Sequence, residues 1–274
     1  MDPCRLCPRQ CKVHRLKGEE GFCGIGALPV VSSAGPHFGE ESVLVGRGGS
    51  GTIFFAGCNL GCVFCQNFDI SHRKAGHAVS PGQIAEAMLQ LQGIGCINVN
   101  YVTPTHVTPH IMEGIAIARE RGLRVPTVYN CGGYESVETL RLLEGYIDIY
   151  MPDAKFGDPE IAAELCRARD YPEVNKAALK EMHRQVGDLV VENGVAKRGL
   201  LVRHLVMPND VCKSLEVIDF LAKEISPNTF VNVMDQYRPV YQAREHAKIA
   251  RTITADEFSR VYLYAQEKGL RLAK

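Results

Sequence analysis

Residues 51–67 read GTIFFAGCNLGCVFCQN, and this stretch decides the fold expected of the 274-residue chain. It opens with residues 52–55, a β-branched and aromatic run typical of a buried strand. A glycine-bounded loop follows and holds Cys58, Cys62 and Cys65, separated by three and by two residues. Such a loop can turn three thiolates towards one point, as in proteins that hold an iron–sulfur cluster. Because a four-iron cluster has four corners, three ligands would leave one iron open for reaction.

The same three cysteines have other interpretations, as buried hydrophobes, as redox thiols or as part of a zinc site. Buried hydrophobes rarely crowd at fixed spacing in a glycine-rich loop directly after a strand. A zinc site needs a fourth ligand close by, and His72 is the next candidate along the chain. The spacing therefore favours a cluster over zinc.

The loop resembles that of the radical S-adenosylmethionine (SAM) superfamily, and more strongly that of pyruvate formate-lyase activating enzymes and their relatives. The resemblance rests on the cysteine spacing, on Phe64 before the last cysteine, and on Gln66-Asn67 after it. It implies that the three loop cysteines bind a [4Fe-4S] cluster whose open iron chelates the amino and carboxylate groups of SAM. It also implies that Phe64 packs near the adenine.

Composition limits the classes of protein to which the chain can belong. Hydrophobic residues make up 46% of it, which suits one domain of barrel size or one domain with a small appendage. Lys plus Arg and Asp plus Glu both number 31, so the charge balance predicts neither nucleic acid nor a membrane surface as a partner. No apolar run is long enough to span a membrane, and the N-terminus is not a signal peptide, so we expect a cytoplasmic protein.

A second group of cysteines lies in residues 1–26, at Cys4, Cys7, Cys11 and Cys23. This segment is polar and rich in turn residues, so it cannot build a core of its own. Four thiolates around zinc or around a second iron–sulfur cluster would supply the missing cohesion. We therefore predict a cysteine-rich metal-binding segment at 1–26, followed by a catalytic domain at 27–274 with a strand-rich lead-in at 27–49.

Strands and helices alternate from residue 51 onward. The predicted strands lie near 51–56, 96–102, 125–129, 146–151, 200–206 and 230–234. The predicted helices lie near 81–92, 109–121, 135–144, 173–186, 211–225 and 255–268, with one more starting at Asp158-Pro159 and a hairpin at Asn193-Gly194. Such a series implies a parallel α/β sheet, either doubly wound or curled into a partial barrel.

The positions of the polar residues decide between these two sheets. Every predicted strand carries chemistry at or near its C-terminal end, where barrel folds build their active sites. A doubly wound sheet would concentrate that chemistry at one switch point. We therefore predict a partial (β/α)6 TIM-like barrel, of the radical SAM type by resemblance, with the small N-terminal extension.

The resemblance to activating enzymes extends along most of the chain and implies further SAM contacts. Asp153 and Lys155 correspond to the Asp-x-Lys segment that lies against SAM in that family. Residues 103–105, Thr-Pro-Thr, replace the usual Gly-Gly-Glu segment, and Asn130 replaces an Asp that helps to form a cation site. The residues predicted to bind the cofactor are Phe64, Gln66, Thr103, Pro104, Asn130, Asp153, Lys155 and Gln236. Cys96, Cys131, Cys166 and Cys212 are expected to be small buried hydrophobes.

The resemblance implies that the chain cleaves SAM reductively to a 5′-deoxyadenosyl radical, which removes hydrogen from a substrate. The substrate would be a glycyl-radical enzyme, another protein or peptide, or a small molecule, and a low-potential flavodoxin or ferredoxin would supply the electron. Within this family the chain resembles a branch with an N-terminal cysteine motif.

Residues at the predicted barrel mouth are candidates for substrate contact. Arg203, His204 and Arg238 suit an anionic substrate, with core packing or SAM contact as alternatives for His204, and His106 is a further candidate. Arg203 and His204 are the candidates for catalytic residues. Two other functions stay open on the sequence alone, namely an electron-transfer iron–sulfur protein without SAM chemistry and a zinc-dependent barrel enzyme.

Overall fold

The computed structural model describes residues 2–273. Ten strands form one sheet with a short side branch. In chain order they are β1 (Val30–His37), β2 (Ser50–Phe55), β3 (His77–Ala78), β4 (Val99–Val102), β5 (Thr127–Cys131), β6 (Ile149–Pro152), β7 (Val190–Glu192), β8 (Val195–Leu205), β9 (Phe230–Met234) and β10 (Arg271–Leu272). The spatial order is β10-β9-β8-β6-β5-β4-β2-β1-β3, and β7 pairs with β8 outside this path.

Nine α-helices are described between residues 2 and 273. They are α1 (Ser42–Val45), α2 (Phe68–Ser71), α3 (Pro81–Gly93), α4 (Thr108–Glu120), α5 (Val137–Leu142), α6 (Pro159–Cys166), α7 (Tyr171–Val186), α8 (Ser214–Phe220) and α9 (Ala255–Glu267). Local sequence sets several of their starts. Ser80 and Gln83 form a capping box at α3, Thr254 and Glu257 form another at α9, and the side chain of Asp158 caps α6.

The predicted α/β partial barrel is confirmed. Strands β2, β4, β5, β6, β8 and β9 are parallel neighbours. Two-residue strands end the sheet on both sides, with β10 parallel to β9 and β3 antiparallel to β1, so the sheet does not close. An open edge therefore lies between the β9 side of the barrel and the β1–β2 hairpin.

The strand pleat divides the core into an outer and an inner layer. The outer layer packs helices on the sheet, as where the hydroxyl of Tyr101 on β4 lies 3.3 Å from the sulfur of Met88 on α3. A smaller apolar group, which includes Val128, Met151 and Leu201, fills the inner side. Because successive residues of a strand point to opposite faces, neighbouring side chains at the carboxyl ends go to different layers.

The lead-in at 27–49 forms β1 and the four-residue helix α1, where one or two strands were predicted. The Asn193-Gly194 hairpin is confirmed, since β7 and β8 pair antiparallel across it. The predicted helix at 211–225 begins later, at Ser214, and ends in one π-helical turn at Leu221–Ile225. None of the helices between residues 2 and 273 combines the length and the hydrophobicity needed to cross a bilayer.

Candidate active site

A cavity of about 250 Å³ opens at the carboxyl ends of the parallel strands. All three loop cysteines line it, together with residues that follow or end the other strands. Those residues include Phe64, Gln66, Thr103, Asn130, Cys131, Gly132, Asp153, Lys155, Arg203, Met234 and Gln236. Side chains from six strands of the barrel therefore meet at one place, as the sequence predicted from their positions in the chain.

The cysteine loop is held by hydrogen bonds to the next layers of the fold. The amides of Gly61 and Val63 donate to carbonyls at the end of α6, those of Cys166 and Leu165, at 3.1 and 2.9 Å. Asn59, whose side chain is buried, donates from Nδ2 to the carbonyl of Tyr134 at 2.6 Å. These contacts fix the backbone of the loop, so the directions of the three thiols do not depend on a bound group alone.

Burial opposes ionisation of the three loop thiols, whereas Lys155 and, at Cys58 and Cys65, local hydrogen bonds favour it. Burial raises the pKa of Cys58 and Cys65, and a contact with the thiol of Cys166 together with burial raises the pKa of Cys62. The positive charge of Lys155 lowers the pKa of all three, but not enough to reverse these shifts. A bound metal would be a further positive partner for the thiolates.

A charged network of Asp153, Lys155 and Arg203 also lines the cavity. The carboxylate of Asp153 accepts from Lys155 Nζ at 2.5 Å and from Arg203 Nε at 3.0 Å. Arg203 Nη2 also donates to Asn130 Oδ1 at 2.8 Å. The network thus joins the ends of β5, β6 and β8 at the rim of one cavity.

Burial alone would raise the pKa of Asp153, but Arg203 and Lys155 overcome it and hold this pKa below its ordinary value. Burial opposes the charge of Lys155 as well, and Asp153 raises the pKa of that lysine. The three groups therefore stay ionised in a poorly solvated place. A buried ion cluster of this kind presents fixed charges to a polar ligand.

Thr103, directly after β4, has a positive φ of 60°. This is an unfavourable conformation for a β-branched residue. Its amide donates to the carbonyl of Asn130 at 2.9 Å, which holds the strained residue against β5 at the wall of the cavity. Strain of this kind persists only where the surrounding structure enforces it, and it often marks functional sites.

The structure corrects several predicted positions. His204 does not reach the cavity, because it follows Arg203 on β8 and points to the opposite face. Its ring is fully buried, donating from Nδ1 to the carbonyl of Ala154 at 2.6 Å and accepting from Ser214 Oγ at 2.8 Å. Pro104 and Arg238 are also outside the set of residues that line the cavity. The catalytic candidate His204 is therefore a packing residue, and Arg203 is already paired with Asp153.

The structure also shows the surroundings of the remaining cysteines and of His72, the candidate fourth ligand of a zinc site. Cys96, Cys131, Cys166 and Cys212 are buried, as predicted, but Cys131 lines the cavity and Cys166 contacts Cys62. The ring of His72 stacks on Tyr241 with 4.9 Å between centroids, and it does not line the cavity. The structure therefore does not bring His72 in as a fourth ligand.

The N-terminal cysteines converge on a small cavity of their own. Cys4, Cys7, Cys11 and Cys23 all line it, together with Arg15 and His106. A tight backbone turn arranges them, since the amide of Cys4 donates to Val13 and the amide of Lys12 donates to Cys4, both at 2.9 Å. His106, which we expected at the barrel mouth, lies instead beside the N-terminal cysteines.

Arg15 is the most unusual residue of this second cavity. Only 1% of it is exposed, and its guanidinium donates to the carbonyls of Ile25 and His106 and reaches Cys23 Sγ at 3.7 Å. Within the described part of the chain it forms no ion pair with a carboxylate. Burial raises the pKa of Cys7 and of Cys23, and the positive charge of Arg15 acts to lower the pKa of Cys23.

Sequence reasoning missed several buried groups beside the two cavities. Arg15, Glu41 and Glu135 are at most 9% exposed, although each lies in a polar stretch that reads as surface. No local pattern marks them, because burial of a single charged residue depends on contacts far away in the chain. The density of cysteines around Arg15 was the one signal that could have been used.

The family profile described as the Radical SAM superfamily matches residues 52–200, which is more than half of the chain. This chain belongs to the radical SAM superfamily. The match begins in β2 and includes the cysteine loop, the Asn130 position and the Asp153–Lys155 pair. The resemblance seen in the loop is thereby confirmed at the level of the superfamily.

Two relatives from Methanocaldococcus jannaschii cover nearly the whole chain. The uncharacterized protein MJ0674 is 35% identical over 277 residues, which span 98% of this radical SAM chain and 76% of the relative. The uncharacterized protein MJ0808 is 24% identical over 289 residues, spanning 93% and 78%. The similarity to MJ0674 therefore includes the N-terminal segment as well as the barrel.

Solved structures share the radical SAM fold at low sequence identity. SuiB from Streptococcus suis, bound to the precursor peptide SuiA, has a TM-score of 0.53 and 17% identity over 79% of this chain and 46% of its own. The FeFe-hydrogenase maturase HydG from Carboxydothermus hydrogenoformans gives 0.56 and 11% over 80% and 51%. Methylornithine synthase (PylB) gives 0.51 and 16% over 81% and 70%. This chain spans about half the length of SuiB and HydG, and the likeness shows the fold alone.

The family implies a [4Fe-4S] cluster and SAM, and the residues that line the cavity of the three loop cysteines fit both. The three thiols share one cavity, yet between residues 2 and 273 no three His, Cys, Asp or Glu side chains lie close enough to bind a single ion. Ligands of a cluster stand apart in this way, because each binds a different iron. The ionised network of the same cavity offers partners for the charged and polar groups of SAM.

Proposed function

We propose that this chain is a radical SAM enzyme that cleaves SAM reductively and removes a hydrogen atom from a substrate. The observation that carries the proposal is that the three loop thiols and the Asp153–Lys155–Arg203 network line the same cavity. When bound, the cluster and SAM supply the electron transfer and the radical chemistry. The protein supplies binding, orientation and exclusion of water.

Each group of residues has one task in this proposal. Cys58, Cys62 and Cys65 hold three irons, and Lys155 favours their thiolate form. The ionised Asp153 and the strained Thr103 position the polar parts of SAM. The remaining proposed contacts to SAM are Phe64, Gln66, Asn130 and Gln236, which share the cavity wall. No side chain needs to act as an acid or base for the first step.

The experiment is SAM turnover by anaerobically reconstituted, dithionite-reduced protein, with 5′-deoxyadenosine as the measured product. We expect turnover by the wild type and none by the Cys58→Ala/Cys62→Ala/Cys65→Ala variant. Cys96→Ala is the matched control, because it removes a buried thiol that is not among the cavity-lining residues. Absence of product from wild-type protein with a loaded cluster would contradict the proposal and favour a pure electron carrier.

SAM affinity without reductant separates binding from cleavage. Asp153→Asn removes the anion shared by Lys155 and Arg203, and we expect it to weaken SAM binding at least about tenfold, or about 1.4 kcal/mol. Asp256→Asn, an exposed change in the first turn of α9, should leave the affinity unchanged. Equal affinities in the two variants would remove Asp153 from the proposed SAM site.

The nature of the substrate and the electron donor is a further proposal. The loop resembles that of glycyl-radical activating enzymes, in the branch with an N-terminal cysteine motif, so a glycyl-radical enzyme is one candidate partner. A peptide or other protein substrate has a precedent on this fold in SuiB, which was solved with its precursor peptide. A small molecule is the alternative, and a flavodoxin or ferredoxin is the proposed donor in each case. Deuterium transfer from substrate into 5′-deoxyadenosine would identify the substrate among candidates.

We also propose that residues 2–26 hold a second metal on Cys4, Cys7, Cys11 and Cys23. Because the four thiols do not lie close enough together to bind one ion, an iron–sulfur centre fits them better than zinc, and the buried Arg15 supplies a cation at Cys23 Sγ to balance its net negative charge. The segment has few apolar residues, so metal binding would contribute to its folding. Metal analysis distinguishes zinc from iron, and the corresponding variants are described below.

A further inference from the structure

A third cavity, of about 760 Å³, lies beside the cavity lined by Cys58, Cys62 and Cys65, which we call the cysteine cavity. We name the third cavity the lateral chamber, because it occupies the open edge of the partial barrel. Its walls come from residues 38–46 in the β1–β2 connection, from β9 and the residues after it, and from α9. The chamber and the cysteine cavity share Arg203, Met234 and Gln236 as walls. A molecule in the chamber therefore lies against the place where the SAM chemistry is proposed.

The chamber is acidic. Glu40, Glu41 and Asp235 line it, and among the described residues on its walls Arg203 is the one cation. That cation is already engaged, since its guanidinium donates to Asp153 and to Asn130 on the other side. His37 Nδ1 lies 3.8 Å from Glu40 Oε1, and among the described wall residues no cation besides Arg203 faces the three carboxyl groups.

Glu41 is the group that points to a ligand. It is 9% exposed, and its Oε1 accepts from Asn232 Nδ2 at 3.0 Å, which anchors the connection to β9. Its buried Oε2 accepts no hydrogen bond from any residue between 2 and 273. A buried carboxylate oxygen without a donor is costly, so Glu41 Oε2 is a candidate acceptor for a donor on a ligand.

Glu40 lies beside Glu41 and is buried to a similar degree, with 8% of its side chain exposed. Burial raises the pKa of Glu40 to about 7, against the pull of Arg203, and the neighbouring Glu41 adds to the rise. A cationic ligand beside Glu40 would favour its ionised form.

The outer part of the chamber suits the carbon chain of such a ligand. Phe38, Phe258 and Tyr262 line it, and the rings of Phe258 and Tyr262 lie 5.6 Å apart. Aromatic faces attract both alkyl stems and cationic heads. The chamber thus combines an acidic floor, an aromatic rim and a wall shared with the cysteine cavity.

We propose that the lateral chamber binds the substrate through a cationic nitrogen, an ammonium or guanidinium group held by Glu41 and Glu40. The proposal rests on the radical SAM function proposed above and adds the chemical class of its substrate. The remainder of the substrate lies towards Gln236 and the cysteine cavity. The cation belongs either to a free amine or to a lysine or arginine side chain of a peptide, and both present the same chemistry.

The test measures binding of matched probes to anaerobically reconstituted protein with SAM, without reductant and at fixed ionic strength. Spermidine is paired with its triacetyl derivative, and a blocked glycine-rich peptide with one lysine is paired with its acetyl-lysine form. We expect saturable binding of at least one cationic probe and at least about tenfold weaker binding of its neutral partner. Spermidine alone would indicate a free amine, and the lysine peptide alone would indicate a protein or peptide substrate.

The variants locate the bound cation. Glu40→Gln/Glu41→Gln should weaken the cationic probe at least about tenfold, and Glu40→Gln alone by less. Glu245→Gln, an exposed change outside the chamber, is the matched control and should bind as the wild type does. Unfolding midpoints of all variants show whether a loss of binding comes from a loss of folding. If the double variant does not fold, binding of the probe to the Glu40→Gln variant decides the test.

Three outcomes would overturn the proposal. These are no saturable binding of either cationic probe, equal binding of charged and neutral partners, and unchanged binding in a folded Glu40/Glu41 variant. Because no reductant is present, the result does not depend on SAM cleavage. Failure of 5′-deoxyadenosine formation would therefore refute the proposed function separately.

Discussion

Glu135 is a buried carboxyl in the loop after β5. It accepts from Thr105 Oγ1 at 2.7 Å and from the hydroxyl of Tyr129 at 3.2 Å, and only 2% of it is exposed. Burial raises the pKa of Glu135 to about 7, although these hydrogen bonds act to lower it. The folded chain therefore binds this proton more tightly than the unfolded chain does.

This proton makes stability fall as the pH rises. Between the ordinary pKa of 4.5 and about 7, the folded state keeps the proton and the unfolded state has lost it, and above about 7 the effect is complete. The glutamine of the Glu135→Gln variant cannot titrate. We therefore expect the unfolding free energy of the wild type to fall by about 3 kcal/mol relative to that of the variant as the pH rises through this window. Urea unfolding at pH 5 and pH 8 measures it, and parallel profiles would contradict it.

Single residues differ in how far sequence could place them. The three loop cysteines and the Asp153–Lys155 pair lie in local patterns next to predicted strands, so the cavity they line could be anticipated. Strand alternation could also have shown that Arg203 and His204 cannot both face inward. The burial of Glu41 and Glu135 could not be predicted, because it comes from contacts with β9, β5 and residues 103–107 that no short window contains.

The loop after β5 is tightly packed against the end of β6. Gly133 has φ of +74°, and a Cβ there would lie 2.0 Å from the carbonyl oxygen of Asp153 and 2.3 Å from Asn175 Nδ2. Asn175 donates to the carbonyls of Gly133 and Asp153, both at 2.9 Å. Tyr171 on α7 adds hydrogen bonds to Gly132 and Asp153. Helix α7 thus fixes both loops that carry the charged network.

Gly133→Ala should separate these two loops. Gly145 provides a matched control, because it has a similar φ of +83° but no atoms within 4 Å of an added Cβ. We expect Gly145→Ala to cost about 1 kcal/mol of unfolding free energy, and Gly133→Ala about 2 kcal/mol more. Only Gly133→Ala should also weaken SAM binding, since Asp153 would be displaced. Denaturant unfolding and anaerobic titration with SAM measure the two effects, and equal losses in both variants would contradict the packing argument.

At the scale of elements, sequence predicted the order of the six barrel strands and most helices that follow them. Hydrophobic runs, capping residues and the Asn193-Gly194 turn carry that information locally. The edge strands β3 and β10 were missed because two residues have no periodicity. The predicted helix at 211–225 begins too early. Residues 211–213 form a turn before α8, and no capping signal in the sequence marks the true start.

The N-terminal segment is joined to the rest of the molecule at several points. Thr139 Oγ1 donates to the carbonyl of Leu6 at 2.8 Å, and Arg9 Nε donates to the carbonyl of Asn59 in the cysteine loop at 2.9 Å. A Cβ on Gly57 would lie 2.6 Å from the carbonyl oxygen of Cys23, so the backbones of the two cysteine regions touch. The spacing of the four cysteines indicated a metal, but not this attachment, which only the folded chain defines.

Metal analysis of the whole protein tests the second site. The Cys58→Ala/Cys62→Ala/Cys65→Ala variant should keep metal on the four N-terminal cysteines, as zinc or as iron with sulfide. Adding Arg15→Met to that variant removes the buried cation while keeping an apolar stem, so we expect metal retention against a chelator to fall about tenfold. Arg47→Met, an exposed change, is the control. No metal in the triple variant, or no effect of Arg15→Met, would contradict the proposed site.

The cysteine cavity and the lateral chamber, which lies at the open edge of the sheet, are built from different elements of the fold. The cysteine cavity is built from the ends of the parallel strands, whereas much of the lateral chamber comes from the short connection at 38–46 and from α9. Of residues 2–273, only Arg203, Met234 and Gln236 line both cavities. Under the proposed substrate site, insertions or exchanges in that connection would change the substrate and leave the cysteine cavity unaltered. Divergence among relatives should accordingly concentrate in this connection.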